Sequence, residues 1–535
     1  MMKKLLLFCL FANYSMGYAQ SELVFVFFKD KPNKGNFYAN PLSELSQKSL
    51  DRRSTQGITL NDQDAPIEPS YISTIQNLGF TVTDHSKWLN GVILNLNQAQ
   101  ANIIKSLPFV HSLESFAKNT TLVLKTQNVN KWENYAKENN STTLFNYGNG
   151  TEQIDQINLR PLHLANYTGT GISIAVIDTG FPTVNIGSAF SRLISNNQIK
   201  GGYDFVSKST DIYDPTLNSH GTLVLGAIGG FIQDTFVGSA PDANFYLYRS
   251  EDADVEIPEE EIYWIEAAEE ADRKGVDIIT SSLGYSTFDD ARYNYSYAQM
   301  NGTTSFIARG SEIASSKGIF VLAATGNSGA QPWHYLLTPA DNAQVFTVRA
   351  VDDLGNPSNF SSFGPNSSGI IKPDGATRGT SATTVINNTI TSVSGTSIAT
   401  PIAAGGIACL MQAFPSLNRN QMKTRLCQTA SLYPNTNNQI GYGILNFGNF
   451  YNTVLSSSEL VKKETIALFP NPTSSILNIA TEKEVVTVEV YDNLGKLLFT
   501  EKKQKSIKVE DFPIGTYYLK IQTQDNIYYE KFMKK

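Results

Sequence analysis

Gly395-Thr396-Ser397-Ile398-Ala399-Thr400-Pro401 runs directly into the small-residue stretch Ile402 to Gly406, and the reading of this segment decides the fold. Gly395 and Thr396 are small and let other backbone come close. The apolar, Ala- and Gly-rich run from Ile398 to Met411 predicts a helix buried on all sides. Such a helix points the unpaired N–H groups of its first turn at Ser397. Two roles fit a serine at that N-cap position: the cap of an ordinary core helix, or a nucleophile served by the helix start. The heptapeptide does not choose between them, so the choice falls to distant residues.

The 535 residues are too many for one domain and suggest about three. Apolar content is ordinary at 41% and the net charge is -7, which excludes a dedicated binder of phosphate backbones or anionic membranes. The expected partners therefore include no nucleic acid. Lys3 and Lys4, the apolar stretch Leu5 to Ala12 and the exit Gly17-Tyr18-Ala19 read as a signal peptide cut near Ala19 or Gln20. That stretch is shorter than the ~20 apolar residues of a membrane-spanning helix, so the expected mature protein is exported, without a membrane span, and monomeric. Cys9 leaves with the signal segment. Cys409 and Cys427 remain, and either a disulfide or two buried thiols fits an exported chain.

The pattern divides the chain into a signal peptide (1–20), a small domain (21–120), a linker (121–154), a large domain (155–450), a second linker (451–463) and a C-terminal domain (464–535). In the small domain, Leu23 to Phe28, Gly91 to Leu96 and Val110 to Phe116 read as strands. Pro41 to Arg53, Pro69 to Leu78 and Gln98 to Ser106 read as helices. Lys118 to Ile157 lose periodicity and carry the turn-like Asn146 to Gly150. The large domain opens with Ile172 to Ile177, whose unbroken apolar character fits a parallel strand buried on both faces. Ala243 to Tyr248, Val276 to Leu283, Ile319 to Ala324 and Val345 to Val351 are further strands, alternating with helices Glu259 to Lys274 and Ser305 to Lys317. This alternation predicts an α/β domain with a mostly parallel sheet and helices on both faces.

Asp178 follows the first of these strands, where open α/β sheets place their sites. Of five histidines, only His220 is followed by Gly-Thr and a small-residue helix pattern; alone it also fits a satisfied core residue. Asn327 ends a buried strand at Thr325-Gly326-Asn327-Ser328-Gly329, as either a turn residue or an oxyanion donor. Taken together, Asp178, His220 and Ser397 occur in the order Asp, His, Ser, with Asn327 between the last two. The α/β-hydrolase signature G-x-S-x-G fails at Ala399.

With Asp178-Thr179-Gly180, His220-Gly221-Thr222, Ser282-Leu283-Gly284, Gly326-Asn327, Phe360 to Pro365, Lys372-Pro373-Asp374 and Gly395 to Pro401, the chain resembles a subtilisin-like serine protease over about residues 155 to 450. Phe181-Pro182 and Val224-Leu225-Gly226 depart from the commoner pattern without touching a catalytic group. The resemblance implies an acyl-enzyme on Ser397, His220 as general base, Asp178 as its orienting carboxylate, and Asn327 with the Ser397 N–H as oxyanion donors. It also implies that Ser282, Leu283 and Gly284 bind substrate backbone, and that they form a pocket with Ala324 and Gly326. Small side chains there suggest a roomy one. Protein or peptide substrates are expected, with no cofactor. An acyltransferase or peptide-cyclising enzyme on the same triad, or a non-catalytic binder on this scaffold, are the rival readings.

The small domain resembles the propeptide of such proteases, which assists folding and blocks the active site. The acidic run from Glu251 to Glu261 could bind calcium, as in many family members, but lacks ligand-like spacing and fits better as a charged helix start. After Phe450, short alternating strands between Ile466 and Phe532 predict a β-sandwich. Phe469-Pro470-Asn471-Pro472, the Tyr491 to Gly495 turn with Lys496, Gly515 to Tyr518 and the basic end at Lys531, Lys534 and Lys535 resemble the type IX secretion sorting domain of Gram-negative bacteria. That implies secretion machinery as a partner of residues 464–535 and a secreted or cell-surface location.

Overall fold

The computed structural model describes residues 20–118, 145–386, 389–460, 466–481, 483–493, 495–524 and 527–535; the signal-peptide expectation lies outside them. The first domain is an antiparallel sheet of β1 (Glu22–Phe28), β2 (His85–Ser86), β3 (Gly91–Leu96) and β4 (Val110–Ser115), in the order β2-β3-β1-β4. Its helices are α1 (Gln47–Thr55), α2 (Pro69–Asn77) and α3 (Gln98–Lys105), besides a short one at Lys34–Ala39 that the pattern does not announce. Period-two alternation sends Val24, Val26 and Phe28 to one face, with Ile75 and Ile104, and Leu23 and Phe25 to the other. The helix expected over Pro41 to Arg53 is broken, because Ser46 caps α1 by accepting from the Ser49 N–H and leaves only a short 3-10 turn at Pro41–Ser43 before it.

The central sheet has seven parallel strands: β5 (Ser173–Asp178), β6 (Ile199–Asp204), β7 (Asn244–Arg249), β8 (Ile278–Ser281), β9 (Phe320–Ala324), β10 (Phe346–Val351) and β11 (Gly375–Arg378), ordered β11-β10-β9-β8-β5-β7-β6. The helices that position the site are α4 (His220–Gly229), α5 (Glu260–Lys274), α6 (Phe306–Ser316), α7 (Thr396–Ala413) and α8 (Arg419–Thr429). β5, β8, β9 and β10 are buried at every residue, which is why they read as unbroken apolar runs. β6, with Gly201 and Gly202 at a sheet edge, and the four-residue β11 after Pro373 carry no such signal. α7 is long and apolar enough to cross a bilayer, yet 83% of it is buried inside the described structure. Leu23, Phe25 and Phe116 of the first domain join one core with Trp264, Ile265 and Phe306 of α5 and α6, Phe116 stacking on Phe306 at 4.1 Å.

Two linker expectations need correction. Residues 119–144 lie outside the described residues, but Gly150 starts the helix Thr151–Gln156, with Tyr147 and Ile154 buried: these apolar side chains anchor 145–154 to the large domain. The second linker is helical through Phe447–Leu460, since no Gly or Pro interrupts 449–460. Residues 452–535 form a separate unit. In it β12 (Ala467–Phe469), β13 (Ile476–Ala480) and β16 (Ser506–Lys508) make one antiparallel sheet, and β14 (Val485–Tyr491), β15 (Leu497–Lys502), β17 (Gly515–Thr523) and β18 (Ile527–Lys534) another. Leu477, Ile479, Val488, Leu519 and Phe532 fill its core.

Candidate active site

Three element ends supply the site. Asp178 is the last residue of β5, level with Arg249 of β7, and 1% exposed. Its Oδ1 accepts from the Thr179 N–H at 2.8 Å and lies 2.6 Å from His220 Nδ1. A carboxylate only accepts, so Nδ1 carries the proton and Nε2 is left with its lone pair. His220 is the first residue of α4, its N–H bonded to Asn218 Oδ1 at 2.9 Å. Gly221 must follow, because a Cβ there would stand 2.4 Å from the Gly180 carbonyl oxygen.

α7 packs against α4 and brings in Ser397, which is 3% exposed. The helix begins at Thr396 with Gly395 in the cap position, so Ser397 is its second residue and not the N-cap expected above. Its Oγ makes no hydrogen bond to any described residue, while its carbonyl accepts from Ser282 Oγ at 2.8 Å. Asn327 Oδ1 accepts from the Thr396 N–H at 3.0 Å and from Thr396 Oγ1 at 2.9 Å. Both are donors, which fixes the amide with its NH₂ turned away from Thr396. The loop behind it is pinned by Ser362 N–H to the Gly326 carbonyl at 2.9 Å and Gly329 N–H to the Phe360 carbonyl at 2.7 Å. Thr396 and Ser282 as positioning groups were missed from sequence; the signal was their place inside the matched motifs.

The Subtilase family model matches residues 169–443, more than half of the chain. The chain belongs to the subtilase family. Among its relatives, Subtilisin BL of Lederbergia lenta is 30% identical over 294 residues, 55% of this chain and 95% of the relative. Subtilisin DY of Bacillus licheniformis is 31% identical over 268 residues, 50% and 85%. The Thermostable alkaline protease of Halalkalibacterium halodurans is 30% identical over 300 residues, 55% and 72%. Residues 23–134 match the Peptidase S8 propeptide domain of Bacteroidota and residues 467–535 the secretion system C-terminal sorting domain. The subtilase is thus a serine endopeptidase made as a precursor, and a secreted or cell-surface protein of a Gram-negative bacterium.

In this subtilase, Ser282, Leu283 and Gly284 follow β8 directly, before Tyr285 exchanges backbone hydrogen bonds with Thr338. Ala324 ends β9 and Gly326 follows it at φ +102°. One residue lies against both segments: Leu337. A Cβ on Gly284 would stand 2.9 Å from Leu337 Cβ, and one on Gly326 2.6 Å from Leu337 Cγ, so this side chain packs between the two segments.

The acidic run does not gather. Glu251 accepts from Tyr285 OH, Glu260 from the Asp252 N–H at 2.8 Å, and Glu261 from Tyr295 OH at 2.6 Å. Burial pushes the Glu260 and Glu261 carboxyls up, at the start of α5. Among the described residues no group of three or more His, Cys, Asp or Glu is placed to hold a metal ion. Lys372 and Asp374 form a buried pair at 2.6 Å, joined by Lys423 at 3.0 Å. Both remaining cysteines are buried free thiols, with no disulfide between them.

Proposed function

We propose that the enzyme hydrolyses peptide bonds through an acyl-enzyme on Ser397. The observation that carries this reading is the 2.6 Å bond from His220 to Asp178, beside an Asn327 amide oriented by Thr396. His220 Nε2 takes the proton as Ser397 Oγ attacks the scissile carbonyl, and returns it to the leaving amine. Asp178 holds the tautomer and stabilises the imidazolium. The oxyanion meets the Asn327 amide and the Ser397 N–H, donors set before charge develops. Water then repeats the sequence and frees the acid. All of these groups belong to one domain, so the chemistry needs no second copy of the chain.

The peptide pairs its backbone with Ser282, Leu283 and Gly284 as an added strand. Leu337 between Gly284 and Gly326 leaves a shallow, apolar pocket that favours a small residue before the cut. Before activation the N-terminal domain blocks this groove. Incubation of the mature enzyme with casein, beside Ser397→Ala, tests the reading: fragments from the wild type alone are expected. No fragments from either would refute it, and ligated products would make the enzyme a transferase. For the pocket, Leu337→Gly is expected to raise kcat/KM for a peptide with Phe before the cut relative to Ala; an unchanged ratio would remove Leu337 from that role.

A further inference from the structure

Two of the contacts between the N-terminal domain and the catalytic domain stand apart from each other. One is its sheet, laid on the faces of α5 and α6. The other is α1, which crosses the C-terminal ends of those same helices. The last turn of α5 and the backbone that leaves α5 and α6 carry carbonyl oxygens that need partners, and α1 with its flanks supplies the donors. Ser46 N–H bonds the Arg273 carbonyl at 2.9 Å. Arg52 Nε bonds the Lys317 carbonyl at 3.1 Å and its Nη1 the Val276 carbonyl at 2.5 Å. Gln56 Nε2 bonds the Gly318 carbonyl at 2.8 Å. The glycines that end both helices are covered so closely that side chains would collide: a Cβ on Gly275 would stand 2.7 Å from Lys48 Cβ, and one on Gly318 2.7 Å from Gln56 Nε2.

Charges are exchanged across this contact. Asp272 of α5, fully buried, receives Arg52 and, through both oxygens, Arg53 at 2.7 and 2.9 Å. Asp64 of the N-terminal domain, equally buried, receives Arg53 at 2.7 Å and Lys317 of the catalytic domain at 3.2 Å. Burial raises the cost of the Asp272 charge, but the two guanidinium groups more than offset it and hold its carboxyl below the usual range. Planar, bidentate pairing of this kind selects a guanidinium over an ammonium. Taking away one partner leaves the other charge buried and uncompensated.

We propose that α1 is a latch, distinct from the sheet, that recognises the paired ends of α5 and α6 through Arg52, Arg53 and Asp272. The latch sets how tightly the N-terminal domain stays on its own catalytic domain once the connecting segment is cut. Its effect on the onset of activity rests on the protease reading above; the binding does not.

The test uses the full chain with a site-specific protease sequence inserted between Asn130 and Lys131, in a Ser397→Ala background. After the cut, size-exclusion chromatography follows how fast the N-terminal fragment leaves. The wild-type latch is expected to hold the fragment, with release about 100-fold or more faster in Asp272→Asn and clearly faster in the charge-keeping Arg52→Lys/Arg53→Lys chain. The same substitutions with Ser397 intact are expected to shorten the lag before casein is cleaved and leave the final kcat/KM unchanged. Release at the wild-type rate in either folded variant would overturn the latch. The size-exclusion result stands whatever Ser397 does, so failure of the protease reading remains distinguishable.

Discussion

Two histidines of this subtilase invite comparison, His220 on α4, which packs against α7, and His163, which lies against Cys409 of α7. His220 starts α4, its side chain 12% exposed and its Nδ1 on the Asp178 carboxylate. His163 is fully buried. Its Nε2 donates to the Ser239 carbonyl at 3.1 Å, its Nδ1 accepts from Tyr147 OH at 2.7 Å, and Cys409 Sγ lies 3.7 Å away. Both rings have their proton fixed by a neighbour. The difference lies in what the ring touches: a carboxylate at His220, and the neutral Ser239 carbonyl, Tyr147 hydroxyl and Cys409 thiol at His163. Burial pushes the His163 imidazole down to about 4, against the weaker opposing pull of the Ser239 carbonyl and Asp242, and pushes the Cys409 thiol far up. A histidine next to a nucleophile is therefore not a catalytic pair unless a charge supports it and a path to substrate remains open.

The comparison breaks most sharply at Asp178. Asp178→Asn is expected to lower kcat about 10,000-fold while the fold persists, because the amide no longer holds Nδ1–H toward itself; turnover of a peptide substrate with circular dichroism as control measures it, and a loss below about 10-fold would put His220 on the level of His163. Asn327→Ala is expected to cost about 100- to 1000-fold in kcat with KM little changed. An effect confined to KM would move Asn327 from oxyanion donor to substrate contact.

At the buried ring the expected effect is on stability. His163 stays neutral in the fold down to about pH 4 but titrates near 6.5 once unfolded, so its contribution is complete above about pH 6.5 and is lost as pH falls toward 4, where the unfolded chain binds the extra proton. The stability difference between wild type and His163→Asn, from denaturant titrations, should therefore shrink by roughly 3 kcal/mol between pH 7 and 4; a constant difference would mean the ring titrates alike in the folded and unfolded chain. Smallest of all, Cys409→Ala is expected to leave kcat/KM within about a factor of two, and the native thiol to resist alkylation. Rapid labelling of Cys409 would show that this node opens to solvent.

Legibility followed burial geometry. β5, β8, β9 and β10 announce themselves because strands covered on both faces must be apolar throughout, and β14 and β17 because one covered face imposes alternation. β6 escaped because two glycines dilute its pattern, and the break before α1 because a cap at Ser46 is a hydrogen bond and not a hydrophobic signal. The candidate site was legible as four motifs in order. Leu337 was not, since nothing near it in sequence says that Gly284 and Gly326 meet there. The pairing of Arg53 with Asp272 spans 219 positions, a separation over which local pattern carries no information.

The sequence by itself determined the kinds of groups, their order along the chain and the α/β framework that delivers strand and helix ends to one edge, because these follow from periodicity and residue chemistry. Only the tertiary structure decided which groups share an environment: that Gly395, not Ser397, caps α7, that Thr396 aims Asn327, that His163 is sealed while His220 stays open, and that α1 closes over α5 and α6. Burial, charge and hydrogen-bond direction are properties of neighbours in space, and those neighbours are set by long-range packing.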